Sequence, residues 1–168
     1  FDLRVDRTSL DVEAFTRYDA RTDASLVTPS LTVGTDAFTV MFVHRYAFET
    51  DGAAGPGLDG GVVELSLDHG ETWADATSRA AVAYTGAIAD TALAARALRG
   101  RAAFVGRSPG YPLAHTTTID FGTSLSGQSV MLRFRFATND NITNVGWSLD
   151  DVAFTGIVGT PFGEIVAD

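Results

Sequence analysis

Three acidic residues gather around one predicted strand end, and their spacing offers a cage of hard oxygen ligands. Glu49 and Asp51 follow directly on the apolar alternation of 37–48, and Asp59 sits in the glycine-rich run Gly55-Pro56-Gly57-Leu58-Asp59-Gly60-Gly61 that leads into the next strand. If the two flanking strands pair as a hairpin, these carboxylates meet at its end. A further pair, Asp150-Asp151, interrupts an apolar stretch between Leu149 and Val152. Acids within a β run are costly to bury unless something satisfies them. Calcium is the natural neutraliser, because it takes six to eight oxygen ligands in flexible geometry. Glu49, Asp51, Asp59, Asp150 and Asp151 are therefore the expected ligands of a structural calcium ion. In the competing reading, Asp150 or Asp151 accepts backbone N–H hydrogen bonds or pairs with Arg133 or Arg135.

Other chemistry fares less well. Gly106-Arg107-Ser108-Pro109-Gly110 fits the G-x-S-x-G pattern of a hydrolase nucleophile elbow. That device needs the backbone N–H after the serine for its oxyanion hole, and Pro109 has none. The segment reads as a turn. The three histidines, His44, His69 and His115, are far apart and none lies in an H-E-x-x-H helix, so no zinc hydrolase is expected. His44 shares the parity of Phe42 and Tyr46 and reads as a hydrogen-bonded core residue. Some pair of carboxylates at glycosidase spacing is inevitable among so many acids. Trp73, Tyr111 and Trp147 are the candidate ligand-binding aromatics of a sugar platform, although Trp and Tyr in a sandwich more often pack in the core or rim. Asn141-Ile142-Thr143 fits a glycosylation sequon, a pattern common by chance. With no nucleophile, base and oxyanion donor together, no catalytic residue is expected in this chain.

The elements that position these groups follow a period of two, the signature of strands with one buried face. Phe38, Val40, Phe42, His44, Tyr46 and Phe48 alternate, as do Val130, Leu132, Phe134 and Phe136, with Arg133 and Arg135 facing the other way. Val63, Leu65 and Leu67 form a third row, which ends at the turn Asp68-His69-Gly70. Further strands are expected over 1–6, 25–33, 82–86, 102–106, 115–121 and 147–155. The Ala-rich stretch 87–99, bounded by Gly86 and Gly100, has room for a short helix within a loop. About nine strands separated by Gly, Asp, Asn and Pro predict an all-β fold, a two-sheet antiparallel β-sandwich of jelly-roll type. The sandwich is expected over 1–160, with 161–168 as an acidic exit segment.

The whole chain is consistent with that picture. Its 168 residues, 45% of them hydrophobic and 11 of them Phe, are enough for one domain with a real core. A net charge of −9 repels polyphosphate, so nucleic acid is not an expected partner, whereas divalent cations are drawn to the same field. All 12 basic residues are Arg. The chain contains no Cys, which excludes disulfides and thiolate metal sites, and no run long enough for a membrane helix. It opens at Phe1-Asp2-Leu3, as a processed product or an excised domain would.

Several segments together carry a resemblance. His44-Arg45-Tyr46-Ala47-Phe48-Glu49 is followed by Asp59-Gly60-Gly61-Val62-Val63-Glu64-Leu65-Ser66 and Asp68-His69-Gly70-Glu71-Thr72-Trp73. Later come Leu132-Arg133-Phe134-Arg135-Phe136 and Gly146-Trp147-Ser148-Leu149-Asp150-Asp151-Val152. With Ser25-Leu26-Val27-Thr28-Pro29 and Thr160-Pro161-Phe162 at its edges, the chain resembles the MAM-like jelly-roll domains found beside catalytic domains in secreted bacterial metallopeptidases, of the immune-inhibitor-A-like and fungalysin-like types. It departs from them with His69 where a Gly commonly stands, and with Ser148-Leu149 in place of an aromatic and Ile. The resemblance implies a secreted or cell-surface accessory domain, sometimes calcium-stabilised, with Glu49, Asp59 and Asp150-Asp151 as the matching carboxylates. Its expected partner is a protein or polysaccharide surface, or copies of itself. The alternatives are a carbohydrate-binding module and a structural or adhesive subunit that self-assembles.

Overall fold

Alternation becomes strand wherever the sequence carries it longest. The computed structural model describes residues 21–141 and 144–161; the expected strand over 1–6, two residues of the sequon and nearly all of the acidic exit segment lie outside them. In chain order the strands are β1 (Asp23–Val27), β2 (Leu31–Val33), β3 (Phe38–Ala47), β4 (Gly60–Ser66), β5 (Ala74–Asp75), β6 (Gly86–Ala87), β7 (Ala102–Ala103), β8 (His115–Gly122), β9 (Ser129–Ala137), β10 (Gly146–Thr155) and β11 (Ile157–Val158). One sheet runs β11-β2-β9-β4-β5, with β1 also on β9; the other runs β10-β3-β8, and β6 and β7 form a small ribbon. The two main sheets pack face to face as a β-sandwich.

The interior is what the period-two rows supply. Phe38, Val40 and Phe42 of β3 and Val130, Leu132, Phe134 and Phe136 of β9 are all buried, as are Val63 and Leu65 of β4. Phe42 meets Phe134 across the sandwich edge-to-face, with ring centroids 5.1 Å apart, a geometry the ring quadrupoles favour. Each such side chain contributes about 1.5–3 kcal/mol on burial. Val152 and Phe154 of β10 are only partly buried against it. Gly61 lets the sheets close: a Cβ there would come within 2.6 Å of the Trp147 ring.

Three expectations change. The stretch 25–33 is two strands, because Pro29 cannot donate to a ladder. Thr28 bridges the break, donating its N–H to Leu132 O and accepting the Leu132 N–H on its hydroxyl, each at 2.9 Å. The expected strands 82–86 and 102–106 shrink to the two-residue β6 and β7. The Ala-rich 87–99 forms only a 3-10 turn at Arg96–Leu98. Its donors go elsewhere: Ala89 N–H bonds to Gly57 O and Ala95 N–H to Leu58 O, at 2.8 and 2.7 Å. Tertiary backbone bonds outweigh Ala's intrinsic helix propensity, and the small side chains pack with Leu58, Val62 and Ile88 in a second core on the outer side of β4.

That cover leaves β4 buried on both faces, Glu64 included at 3% exposure. Its carboxylate takes Arg101 Nη1 at 2.7 Å and Arg133 Nη2 at 2.6 Å, with Arg135 Nη1 at 3.8 Å. Arg101 also bridges to Asp75, and Arg135 to Asp23. Arg133 and Arg135 thus face outward as the alternation requires, and these are the acids they meet. Glu64→Gln would leave half-buried guanidinium groups short of their counter-charge, a loss of about 1.5–3 kcal/mol, read as a lower urea midpoint with an unchanged slope.

Candidate metal centre

Glu49 and Asp59 come together, but not by way of a hairpin. β3 and β4 belong to different sheets, and the chain crosses between them through the loop 48–59. A local antiparallel bridge at Thr50 and Gly57 narrows that loop. The Glu49 carbonyl then accepts the N–H groups of Leu58 and Asp59, at 2.9 and 3.3 Å. The two acids are fixed at the crossover, 6% and 0% exposed.

Asn139, two residues beyond the end of β9, completes the group. Its N–H donates to Asp59 Oδ1 at 2.7 Å, and its side-chain amide donates to Glu49 Oε2 at 2.8 Å and to Leu93 O at 3.0 Å. The Asn141 N–H bonds to Asn139 Oδ1 at 2.9 Å, which fixes the amide's orientation. Asn141 reaches Glu49 Oε1 only at 3.4 Å. Asp59 Oδ2 is buried with no hydrogen-bond partner among the described residues, where most such atoms are satisfied. No arginine pairs with either acid among the ion pairs of the described residues. Burial above all, with the Glu49 charge adding to it, pushes Asp59 up to about 6 against the pull of the Asn139 and Glu49 backbone N–H groups.

The crossover thus gathers acidic oxygen without a counter-charge from the described ion pairs. Two carboxylates, one with an orphaned oxygen, share Asn139 with the carbonyl of Leu93, with no arginine paired to them among the described residues. Calcium fits that oxygen chemistry; it would be held by Glu49 and Asp59, and would satisfy Asp59 Oδ2 while neutralising the pair.

The other expected ligands do not join them. No group of three His, Cys, Asp or Glu side chains able to hold a metal occurs among the described residues. Asp51 is exposed in the loop, with its N–H on Pro56 O. Asp150 pairs with Val43 on the adjacent strand, six residues before Glu49, or roughly 20 Å along a strand. Asp151 sits in the bulge between Asp150 and Ala153, exposed and left-handed at φ 48°. The bulge turns Asp151 to solvent, and Asp150 Oδ1 accepts its N–H. Asn139 was not expected. The polar run Thr138-Asn139-Asp140-Asn141 after an apolar strand is its only trace in the sequence, and a backbone acceptor such as Leu93 O leaves none.

The aromatic candidates are mostly occupied. Trp147 is 1% exposed, so it is a core residue and presents no surface to a ligand. Trp73 has the Arg133 guanidinium 4.4 Å from its ring centroid, and Tyr111 has Arg107 at 5.4 Å. Ser108 is buried, with its hydroxyl accepting the Tyr46 N–H at 3.3 Å, and Pro109 and Gly110 follow it in a turn. The indole of Trp147 donates to His44 Nδ1 at 3.1 Å, so the His44 proton lies on Nε2, which bonds to Thr117 Oγ1 at 2.9 Å. Burial, with nearby His115 second, holds this imidazole down to about 3.

No protein-family model matches the chain, and no functionally described protein matches its sequence. Among the described residues no helix is long and apolar enough to cross a membrane.

Proposed function

We propose that this β-sandwich is a non-catalytic accessory domain of a secreted multidomain protein, attached to an extracellular metallopeptidase and stabilised by calcium. The orphaned, fully buried Asp59 Oδ2 beside Glu49 carries the calcium reading. The accessory role rests on the MAM-like resemblance of the segments around β3, β4, β9 and β10. The burial of Trp147 and the arginines stacked on Trp73 and Tyr111 favour a protein surface over a sugar platform as the partner.

The test uses the full-length parent protein with and without this domain. Hydrolysis of a short soluble peptide is expected to survive deletion of the domain. Binding to a large protein substrate should weaken by at least about tenfold, because a second attachment point is lost. Equal losses on both substrates, or a parent with no peptidase domain, would overturn the proposal.

A further inference from the structure

The dipeptide Asp-Gly occurs twice in the chain, at Asp51-Gly52 and at Asp59-Gly60, on either arm of one crossover loop. Glycine puts no Cβ beside its nitrogen, so a main chain can approach the preceding carboxyl more closely here than at any other pair. The fold treats the two copies differently. Asp59 is 0% exposed, and its Oδ1 accepts the Asn139 N–H at 2.7 Å. Gly60 opens β4 opposite Ala137, and its flank is filled: a Cβ there would meet Ile88 Cδ1 at 2.6 Å and Phe104 O at 2.7 Å. That peptide cannot rotate, nor water reach it, unless the fold opens. Asp51 and Gly52 are exposed, as are Ala53 and Ala54 after them. Gly52 is left-handed at φ 75°, and no atom lies within 4 Å of the place a Cβ would take. The turn is held only at its shoulders, by the Asp51 N–H on Pro56 O at 2.9 Å and the Thr50 hydroxyl on Gly52 O at 2.7 Å. The peptide group between them, Asp51 C=O and Gly52 N–H, makes no backbone hydrogen bond among the described residues.

We propose that Asp51 is a site of spontaneous modification, where the main chain converts aspartate to isoaspartate through a cyclic imide, while Asp59 is kept from the same reaction by the fold. The Gly52 nitrogen attacks Asp51 Cγ. A C–N bond forms, the Cγ–O bond breaks, and the acid's hydroxyl leaves with the amide proton as water. Water then opens the imide. Cleavage at Cγ restores aspartate; cleavage at the α-carbonyl leaves the chain running through Cγ, with a free α-carboxylate. The composition is unchanged, and no oxidant, reductant or cofactor is consumed. The product carries an extra methylene in the main chain of the loop. Its α-carboxylate is the group that an isoaspartyl-methylating enzyme recognises. The reaction needs no metal, so it stands apart from the calcium reading and from the accessory role.

The intact chain is aged in warm, mildly acidic buffer, native in one arm and unfolded in urea in the other. Peptide mapping with electron-transfer fragmentation distinguishes isoaspartate from aspartate at equal mass, and methylation by an isoaspartyl methyltransferase measures the total. In the native arm isoaspartate should accumulate at residue 51 at least about tenfold faster than at residue 59, which reacts only from a locally opened state. In urea the two rates should converge to within about threefold, because only the fold separates them. Asp51→Glu, which would need a larger ring, should remove most of the native methylation signal. Four results would overturn the proposal: equal native rates at the two sites, no isoaspartate at 51 in the native arm, a gap that survives in urea, or a native signal undiminished in Asp51→Glu.

Discussion

Adding calcium to chelator-treated protein is expected to raise the melting temperature by about 5–10 °C. A ligand present at a hundred times its dissociation constant stabilises by about 2.7 kcal/mol, and in a domain of this size each kcal/mol moves the transition by about 2–4 °C. Asp59→Asn should abolish that response and also melt above the wild type in chelator. The Asn keeps the acceptor for the Asn139 N–H and replaces the orphaned Oδ2 with a neutral donor, relieving a desolvation cost of about 1–3 kcal/mol. The sign agrees with the raised pKa of Asp59. The folded state prefers the protonated acid, so the stability linked to this group is complete below the unfolded value and is lost as pH rises through about 6. At neutral pH the cation-free protein therefore holds a charge it would rather lack, which bound calcium would offset. Glu49→Gln should also lose the calcium response, while Asp51→Asn and Asp151→Asn should keep it. A melt indifferent to exhaustive chelation would remove the metal, and a response lost in Asp151→Asn would return that residue to the site.

The different fates of these carboxylates show what a linear pattern can hold. The rows through Phe38–Phe48 and Val130–Phe136 specify buried faces because side-chain direction in a strand follows from parity alone. The same parity placed Arg133 and Arg135 outside and His44 inside. Proximity across the sandwich has no such code. Glu49 and Asp59 were legible because a short, glycine-rich connection joins them, although the connection is a crossover between sheets and not a hairpin. Asn139 arrives from 80 residues away, and only the three-dimensional path of β9 brings it there. Asp150-Asp151 falls in a β-bulge, which explains a polar pair within a strand as well as a metal does, and sequence alone does not distinguish the two. The segment 87–99 holds only the short 3-10 helix Arg96–Leu98, because local propensity gives way to backbone bonds with the 57–58 loop.

His44 should set the acid limit of this fold. Its ring is 1% exposed and hydrogen-bonded at both nitrogens, to Trp147 and Thr117. The groups that face it are the Trp147 indole from β10, Thr117 and the His115 imidazole from β8, and the Phe42 and Tyr46 rings of its own strand, with Phe104 over it. None of these is an acid that would welcome a charged imidazole. A second proton would have to enter at Nδ1, where it would break the bond from Trp147. The folded state therefore holds the neutral ring down to about 3, against an ordinary value of 6.5. For a depressed histidine the linked stability is complete above the unfolded value and is lost as pH falls below it, because the unfolded chain takes up the proton first. Between pH 3.8 and 6 the raised Asp59 contributes with the opposite sign, so the cation-free wild type conceals part of the slope. The Asp59→Asn background exposes it: urea unfolding there should lose about 2–3 kcal/mol between pH 7 and pH 4.5. Adding His44→Gln, whose amide can still accept from Trp147 and donate to Thr117, should flatten that loss whatever it does to stability at pH 7. If the slope persists undiminished in the double variant, another group governs the acid transition and the neutral His44 is a bystander.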